Sequence, residues 1–406
     1  MSIPLSEHLS ALTQQHLHDD VQQLALQRNR YPQLSDADFR FLLQQIEGRQ
    51  KTKDKLPSFC QMDDWWYPVR LSCEQCSSEA TARYKAQMVP SYHTFIDLTA
   101  GYGVDTFFLS EHAQVAHYVE RNADLCTIAA HNFSLYRPKI EVHNTTAEDF
   151  LASLPIPNSS HSECCPIGDM PSTTLIYLDP ARRSQSGSKV FRIEDCEPNI
   201  INILPTLRTI SNSILIKFSP MLDITSALQS LGNEWDVHVV ALHNEVKEII
   251  FVTGNNRIHA VNILHEGNDQ FSFTRSEEKS ALCAMADCIC EYIYEPNAAI
   301  IKAGAFRLVS ERYQLYKLDH NTHLYTADQL IEDFPGRVWK VTAQPIKNQR
   351  DIAALGIQRA AILTRNYPLT PEELRKKFKV QESDSHFLIG ARIATKPTLI
   401  LAERIH

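Results

Sequence analysis

No apolar run in the 406-residue sequence comes near the roughly 20 residues that span a bilayer as a helix, so no membrane-spanning segment is expected. The opening Met-Ser-Ile-Pro-Leu-Ser-Glu lacks a basic n-region and an apolar h-region; no secretory signal is read there, and a cytoplasmic location is expected. Internal repeats are absent, which argues against a repeat array. A disulfide framework is absent too: the ten cysteines are scattered through a long chain and most are read as reduced thiols. Cys73-Glu-Gln-Cys76 has metal-knuckle spacing, but no second pair lies at zinc distance and a closed site needs four ligands, so no metal is expected. Cys164-Cys165 lies in a stretch from Pro155 to Thr173 that is rich in Pro and Ser and reads as an inserted surface loop. Cys288-Ile-Cys290 falls in a helix-like run.

What is present is an ordinary globular composition, 43% hydrophobic and 22% charged, with a net charge of −8. That net charge opposes nonspecific nucleic-acid binding, but its distribution is uneven. From Lys340 to His406 there are twelve Lys and Arg against six Asp and Glu, which leaves the rest of the chain at −14. A basic C-terminal module on an acidic body suits a polyanion partner; a solvated charged helix around Glu372–Lys379 is the alternative.

Residues 1–90 read as a helical region. Leu5, Leu9, Leu12, Leu17 and Val21 recur at helical spacing, and Ser35-Asp-Ala-Asp38 reads as a capping box before Phe39, Leu42 and Ile46. Trp65-Trp66-Tyr67-Pro68 breaks the helical pattern. From Thr94 strands and helices alternate: strands at 94–98, 115–119, 140–143, 174–178 and 214–218, then 235–242 and 248–252, with 258–264 as a late hairpin partner. The pattern predicts a doubly wound α/β sheet with an antiparallel edge over residues 91–265. Residues 266–343 and 344–406 read as small α+β domains, with helices expected over 276–294 and within 300–309, and Thr370-Pro371 opening a further helix.

The most informative stretch is T-F-I-D-L-T-A-G-Y-G-V-D, Thr94 to Asp105. A short buried strand ends near Asp97, the chain turns over Gly101 and Gly103, and a helix follows; this is a nucleotide-type cofactor site. A dinucleotide fingerprint would need a third glycine, and Val104, Asp105 and Thr106 stand there instead. The other candidate is S-adenosylmethionine, which has no pyrophosphate and needs acceptors for an ammonium group and ribose hydroxyls. Asp97 and Asp105 are suited to the ammonium side, and Glu120, at the end of the second strand, to the ribose.

The combination D-L-T-A-G-Y-G-V-D, V-E-R-N and L-D-P-A-R-R resembles class I S-adenosylmethionine-dependent methyltransferases over about residues 75–255. The whole chain resembles a bacterial group that joins an N-terminal helical region, a Rossmann-like seven-stranded methyltransferase sheet, a ferredoxin-like domain and a C-terminal THUMP-like domain. The stretch E-Q-C-S-S-E-A-T-A-R-Y-K, Glu74 to Lys85, also matches the segment that precedes the first motif in that group. The resemblance implies that Asp97, Thr99, Gly101 and Gly103 line the methionine part of the cofactor. It implies that Glu120 binds the ribose, that Thr146, Ala147 and Glu148 sit near the adenine, and that Gln75, Ser78 and Lys85 close the methionine end. Many relatives carry an aspartate where Thr146 stands, so Glu148 or a backbone amide is left for the adenine contact.

Acceptor-side groups belong after the fourth strand, where Asp179, Pro180, Ala181 and Arg182 stand. Asp179 can orient or deprotonate an amine or hydroxyl, Pro180 fixes the turn, and Arg182 can stack on a base or clamp a phosphate. Uracil-C5 RNA methyltransferases, which the D-P-x-R pattern also resembles, attack with a cysteine after the fifth strand. Here Lys217-Phe218-Ser219-Pro220 has none, which favours direct transfer to nitrogen or oxygen, with Lys217 and Ser219 as acceptor-side contacts. THUMP-type domains occur in RNA-modifying enzymes, so a tRNA or rRNA partner is expected, with Arg365, Arg375, Lys376 and Lys377 as phosphate contacts. A small-molecule or protein methyltransferase, or a noncatalytic cofactor-binding protein that binds RNA, are the alternatives; a nicotinamide oxidoreductase is disfavoured by the missing glycine.

Overall fold

The computed structural model describes residues 7–89, 91–154, 174–182, 193–232 and 234–405. The chain forms two compact units, the first Met1–Trp235 with Ile249–Thr253, the second Asp236–Glu248 with Gly254–His406. The inserted stretch 155–173, with Cys164-Cys165, lies outside the described residues, as does Arg183.

The first unit opens with helices α1 (Glu7–Gln15), α2 (Val21–Ala25), α3 (Asp36–Thr52), α4 (Arg70–Gln75) and α5 (Glu79–Met88). Leu9, Leu12, Leu24, Phe39, Leu42 and Ile46 bury into one cluster. The apolar spacing between Leu9 and Val21 is thus shared by two helices, because Asp20 caps α2 and ends the run. Ser35 caps α3 by accepting the Asp38 N–H at 3.1 Å. The Trp65-Trp66-Tyr67 segment is buried and non-helical. Its backbone is held by side-chain amides: Tyr67 N–H donates to Gln45 at 2.7 Å, and Trp66 N–H to Asn132 at 2.8 Å.

Strands and helices then alternate as β1 (Thr94–Asp97), α6 (Val104–Leu109), β2 (Val115–Glu120), α7 (Ala123–Tyr136), β3 (Ile140–Asn144), α8 (Ala147–Ser153) and β4 (Thr174–Leu178). They continue with the short antiparallel pair β5 (Ala181–Arg182) and β6 (Cys196–Glu197), then α9 (Ile200–Ile210), β7 (Ser213–Phe218), α10 (Ile224–Leu231), β8 (Trp235–Leu242) and β9 (Glu245–Thr253). Within the first unit the strand order is β3-β2-β1-β4-β7-β9. β1, β2, β3, β4 and β7 run parallel, and Ile249–Val252 of β9 pairs antiparallel to β7. Every residue of β4 is buried, as expected of a strand covered on both faces. The order reverses between β1 and β4, so the crevice at their C-terminal ends is where such a sheet takes its ligand.

In the second unit β8 pairs in parallel with β10 (Arg257–Ile263), and β10 forms a hairpin with β11 (Asn268–Thr274). The late hairpin therefore uses a polar strand, N-D-Q-F-S-F-T, that the sequence reading did not single out. Next come α11 (Arg275–Ser280), β12 (Tyr292–Pro296), α12 (Ala298–Ala303), α13 (Phe306–Arg312), β13 (Tyr316–Asp319), β14 (Thr322–Ala327) and β15 (Gly336–Ala343). The unit ends with α14 (Gln349–Ala354), β16 (Ala361–Arg365), α15 (Pro371–Phe378), β17 (His386–Ile393) and β18 (Lys396–Arg404). The helix expected over 276–294 is thus confined to its first turns. The segment after it is drawn into extended pairing instead: Ala286 N–H donates to Lys317 C=O and Lys317 N–H to Ala284 C=O. A seven-stranded sheet has the order β13-β14-β12-β15-β18-β17-β16. Ile293, Trp339, Ile389 and Ile400 share one core cluster, while Leu374, Phe378, Leu388 and Leu401 share another. Thr370 and Glu373 form a capping box on α15 with Pro371 in its first turn. Among the described residues no helix is long and apolar enough to cross a membrane.

Candidate cofactor and acceptor site

The turn after β1 is built on two glycines for different reasons. Gly101 has φ +55° and Gly103 φ +85°, the left-handed region that glycine enters without penalty. A Cβ on Gly103 would stand 2.8 Å from Phe133 Cζ, so packing beneath the turn also requires glycine there. Among the described residues a Cβ on Gly101 would meet only Thr99 O at 4.0 Å, which leaves open space over that residue. Leu98 N–H donates to Tyr177 C=O, Ala100 N–H to Val119 C=O, and the Tyr118 hydroxyl to Gly101 C=O, which anchors the turn to β4 and β2.

Asp97 has no exposed surface. Its carboxyl accepts the Thr106 hydroxyl at 2.6 Å and the Thr99 N–H at 3.1 Å. Burial pushes its pKa up to about 8 despite these two donors, and Asp105 and Asp179 add to the rise. Asp105 is also buried. It pairs with the fully buried Lys85 at 3.1 Å and accepts hydroxyls from Ser77 at 2.7 Å and Tyr177 at 2.6 Å. Burial alone would raise Asp105, but Lys85, Lys217 and these hydroxyls outweigh it and hold the carboxyl below its ordinary value. Both aspartates therefore form a polar layer beneath the turn. Ser77 and Tyr177 were not singled out from sequence; the visible signal was a tyrosine inside the apolar run before Asp179-Pro180.

Glu120 is half-buried at the end of β2. One carboxylate oxygen accepts Gly101 N–H at 3.0 Å and the other accepts Asn122 N–H at 2.8 Å. Each oxygen keeps a second lone pair, so the group retains capacity for two more donors, as a ribose diol requires. Thr146 caps α8, its hydroxyl accepting Asp149 N–H at 3.1 Å and donating to the Asp149 carboxylate at 2.8 Å. Ala147 is buried and Glu148 is exposed beside it. Ser78 caps α5, and Gln75 is exposed.

On the other side of β1, Asp179 N–H donates to Thr99 Oγ1 at 2.5 Å, and Lys217 Nζ lies 2.5 Å from Asp179 Oδ2. Thr99 thereby links the ends of the first and fourth strands. Pro180 is buried, and Arg182 lies in β5 opposite Cys196. Ser219 Oγ accepts Met221 N–H at 3.3 Å in the turn after β7. The structure thus gathers Thr99, Gly101, Gly103, Glu120, Asp179 and Lys217 at the C-terminal ends of β1, β2, β4 and β7, with Asp97 and Asp105 buried beneath them.

The basic residues belong to the second unit. Arg365 donates to the buried Glu295 at 2.5 Å, and Arg337 pairs with the same carboxylate at 3.5 Å. Arg375, Lys376 and Lys377 occupy the last turn of α15; Arg375 lies 3.6 Å from Glu382. Back in the first unit, Cys73 donates to Pro68 C=O and Cys76 to Cys73 C=O, and burial pushes their pKa values up to about 12 and about 11.

Known protein families and structures resemble this chain. Residues 292–335 match a ferredoxin-like domain and residues 336–404 a THUMP domain-like unit. A protein of Porphyromonas gingivalis W83 assigned to the methyltransferases is 30% identical, with 98% of each chain covered and a TM-score of 0.83. Two uncharacterized S-adenosylmethionine-dependent methyltransferases of Mycobacterium tuberculosis, from strains CDC 1551 / Oshkosh and ATCC 25618 / H37Rv, are 24% identical over 227 residues. That match spans 54% of this chain and 60% of theirs. The chain belongs to the family of the Porphyromonas protein, the class I S-adenosylmethionine-dependent methyltransferases that carry a ferredoxin-like and a C-terminal THUMP-like domain. The residues present fit that cofactor: a carboxylate with two acceptor positions left, beside a turn with open space over Gly101.

Proposed function

We propose that the protein methylates nitrogen or oxygen of a structured RNA, a tRNA or an rRNA, by direct in-line displacement. The observation that carries this reading is the Asp179–Lys217 pair standing across β1 from Glu120, with Thr99 joining the two sides. S-adenosylmethionine supplies an electrophilic methyl group when bound. Glu120 would hold its ribose hydroxyls, and Thr146, Ala147 and Glu148 would flank its adenine. Asp97 and Asp105, bonded from below, would fix the Gly101–Gly103 turn along the methionine part. Lys217 engages Oδ2 of Asp179, which leaves Oδ1 to orient the acceptor N–H or O–H and to take its proton. Such orientation at about 3 Å accounts for much of the rate gain in a displacement of this kind. Pro180 keeps Asp179 in its turn, while Arg182 and Ser219 would contact the acceptor. Support for RNA comes from the THUMP domain-like match and from the basic last turn of α15. We divide the chain for this purpose into a helical region 1–90, the methyltransferase core 91–265, and the C-terminal domains 266–343 and 344–406.

The test is transfer of a tritiated methyl group into total RNA from a deletion strain, with nucleoside mass spectrometry of the product. Label should enter one nucleoside, and Asp179→Ala should abolish the transfer while leaving S-adenosylmethionine affinity unchanged by calorimetry. Glu120→Ala should weaken that affinity by about tenfold or more, the loss of a charge-assisted bond pair. Label confined to protein or small molecules would replace the RNA acceptor with that class.

A further inference from the structure

The edge strand β3 and its neighbour β2 bring together three ligating side chains that the cofactor and acceptor sites leave unused. In the parallel register His117 lies opposite Glu141, and Val119 opposite His143. Glu141 and His143 are two residues apart on one strand, so they share a face with His117. His117 Nδ1 lies 3.1 Å from His143 Nε2 and 3.3 Å from Glu141 Oε2, and His143 Nε2 lies 3.8 Å from that same oxygen.

These separations are those of one face of a tetrahedron. Zinc holds nitrogen and oxygen ligands at about 2.0–2.1 Å, which places neighbouring ligand atoms roughly 3.3 Å apart. Two of the observed distances are within a few tenths of an ångström of that spacing, and rotation of the Glu141 side chain, 62% exposed, shortens the third. His117 and His143 are 20% and 31% exposed and stand against the Phe150 ring. One side of the trio is therefore walled by α8 and the other is open to water. A hydrogen bond between the two imidazoles and ion pairs from Glu141 give the same three distances without an ion, and the titration below separates the two.

We propose that His117, Glu141 and His143 form a divalent zinc site on the edge of the first unit's sheet, with water in the remaining position. Two imidazoles and one carboxylate are a zinc donor set with an open position. The ion would bridge β2 to β3 a few residues before Glu120 and Thr146. On the cofactor reading given above, it would stiffen the two strand ends that hold ribose and adenine.

The test uses the full chain, dialysed against chelator and titrated with zinc chloride by calorimetry, and with cobalt(II) by visible absorption. We expect one zinc per chain, a tetrahedral-type cobalt spectrum and a raised melting temperature. Glu141→Gln and His143→Gln should each weaken zinc binding by more than the roughly 10–100-fold seen when an outer-shell partner is lost. Glu141 is exposed, so its variant should fold, and circular dichroism checks this. Unchanged zinc affinity in both variants would overturn the site, as would loss of zinc in Cys73→Ser alone, or no saturable binding by the wild type.

Discussion

A carboxylic acid with no exposed surface changes how the fold responds to pH. Asp97 has its pKa raised to about 8, from an ordinary 3.8. Between those values the folded chain keeps a proton that the unfolded chain has lost, so this group's contribution is present in full below about pH 4 and falls away as pH rises through 8. Asp105 has the opposite sign: its lowered pKa gives stability that is present at neutral pH and lost on acidification. Asp97→Asn should therefore melt higher than wild type at pH 9 and flatten the pH dependence between 5 and 9. Parallel melting curves for the two proteins would remove the buried-acid account. At this scale the sequence was informative where a residue type carries its own signal. Glu120 at a strand end and Asp179 before proline read directly from the motifs. The sinking of Asp97 and Asp105 beneath the turn did not, because burial depends on Ser77, Lys85 and Tyr177 arriving from other elements. The His117, Glu141 and His143 trio was hidden for a related reason: it exists only once β2 and β3 are in register.

Two glycines in one turn separate stability from binding. Gly103→Ala would push a methyl group into Phe133 at a left-handed φ and should cost about 1–3 kcal/mol of stability, read as a lower melting temperature. Gly101→Ala adds its methyl to open space, so it should strain the backbone by roughly 1–2 kcal/mol and weaken S-adenosylmethionine binding more than Gly103→Ala does. Equal effects of the two variants on affinity would contradict the open space over Gly101. Elements with a strong period or cap were legible: the strands β1, β2, β3, β4, β7, β8 and β9, and the helix α15 that Thr370-Pro371 opens. The 276–294 segment misled because its apolar spacing suits a helix, while the pairing partners at Lys317 and Thr326 lie beyond any local window. β13 has only four residues between two turns, too few for alternation to register.

For the chain as a whole, charge is divided unevenly, and this was plain from the sequence. If the last turn of α15 meets a phosphate backbone, the triple reversal Arg375→Glu, Lys376→Glu and Lys377→Glu should weaken RNA binding at low salt. Each lost contact should also flatten the dependence of log affinity on log salt by about 0.9 for a duplex. An unchanged slope in filter-binding or anisotropy titrations would move the interface away from α15. Less visible from the sequence was how the N-terminal helices relate to the glycine turn. Trp65 Nε1 donates to the hydroxyl of Tyr102, the residue between the two glycines, and Lys85 on α5 reaches Asp105 just beyond them. The Trp65 segment and helix α5, both before residue 90, are therefore the floor on which the cofactor loop rests. A catalytic domain trimmed to its α/β sheet, or transplanted onto another targeting module, would carry every signature motif of a methyltransferase and still lack the support that sets the loop's shape.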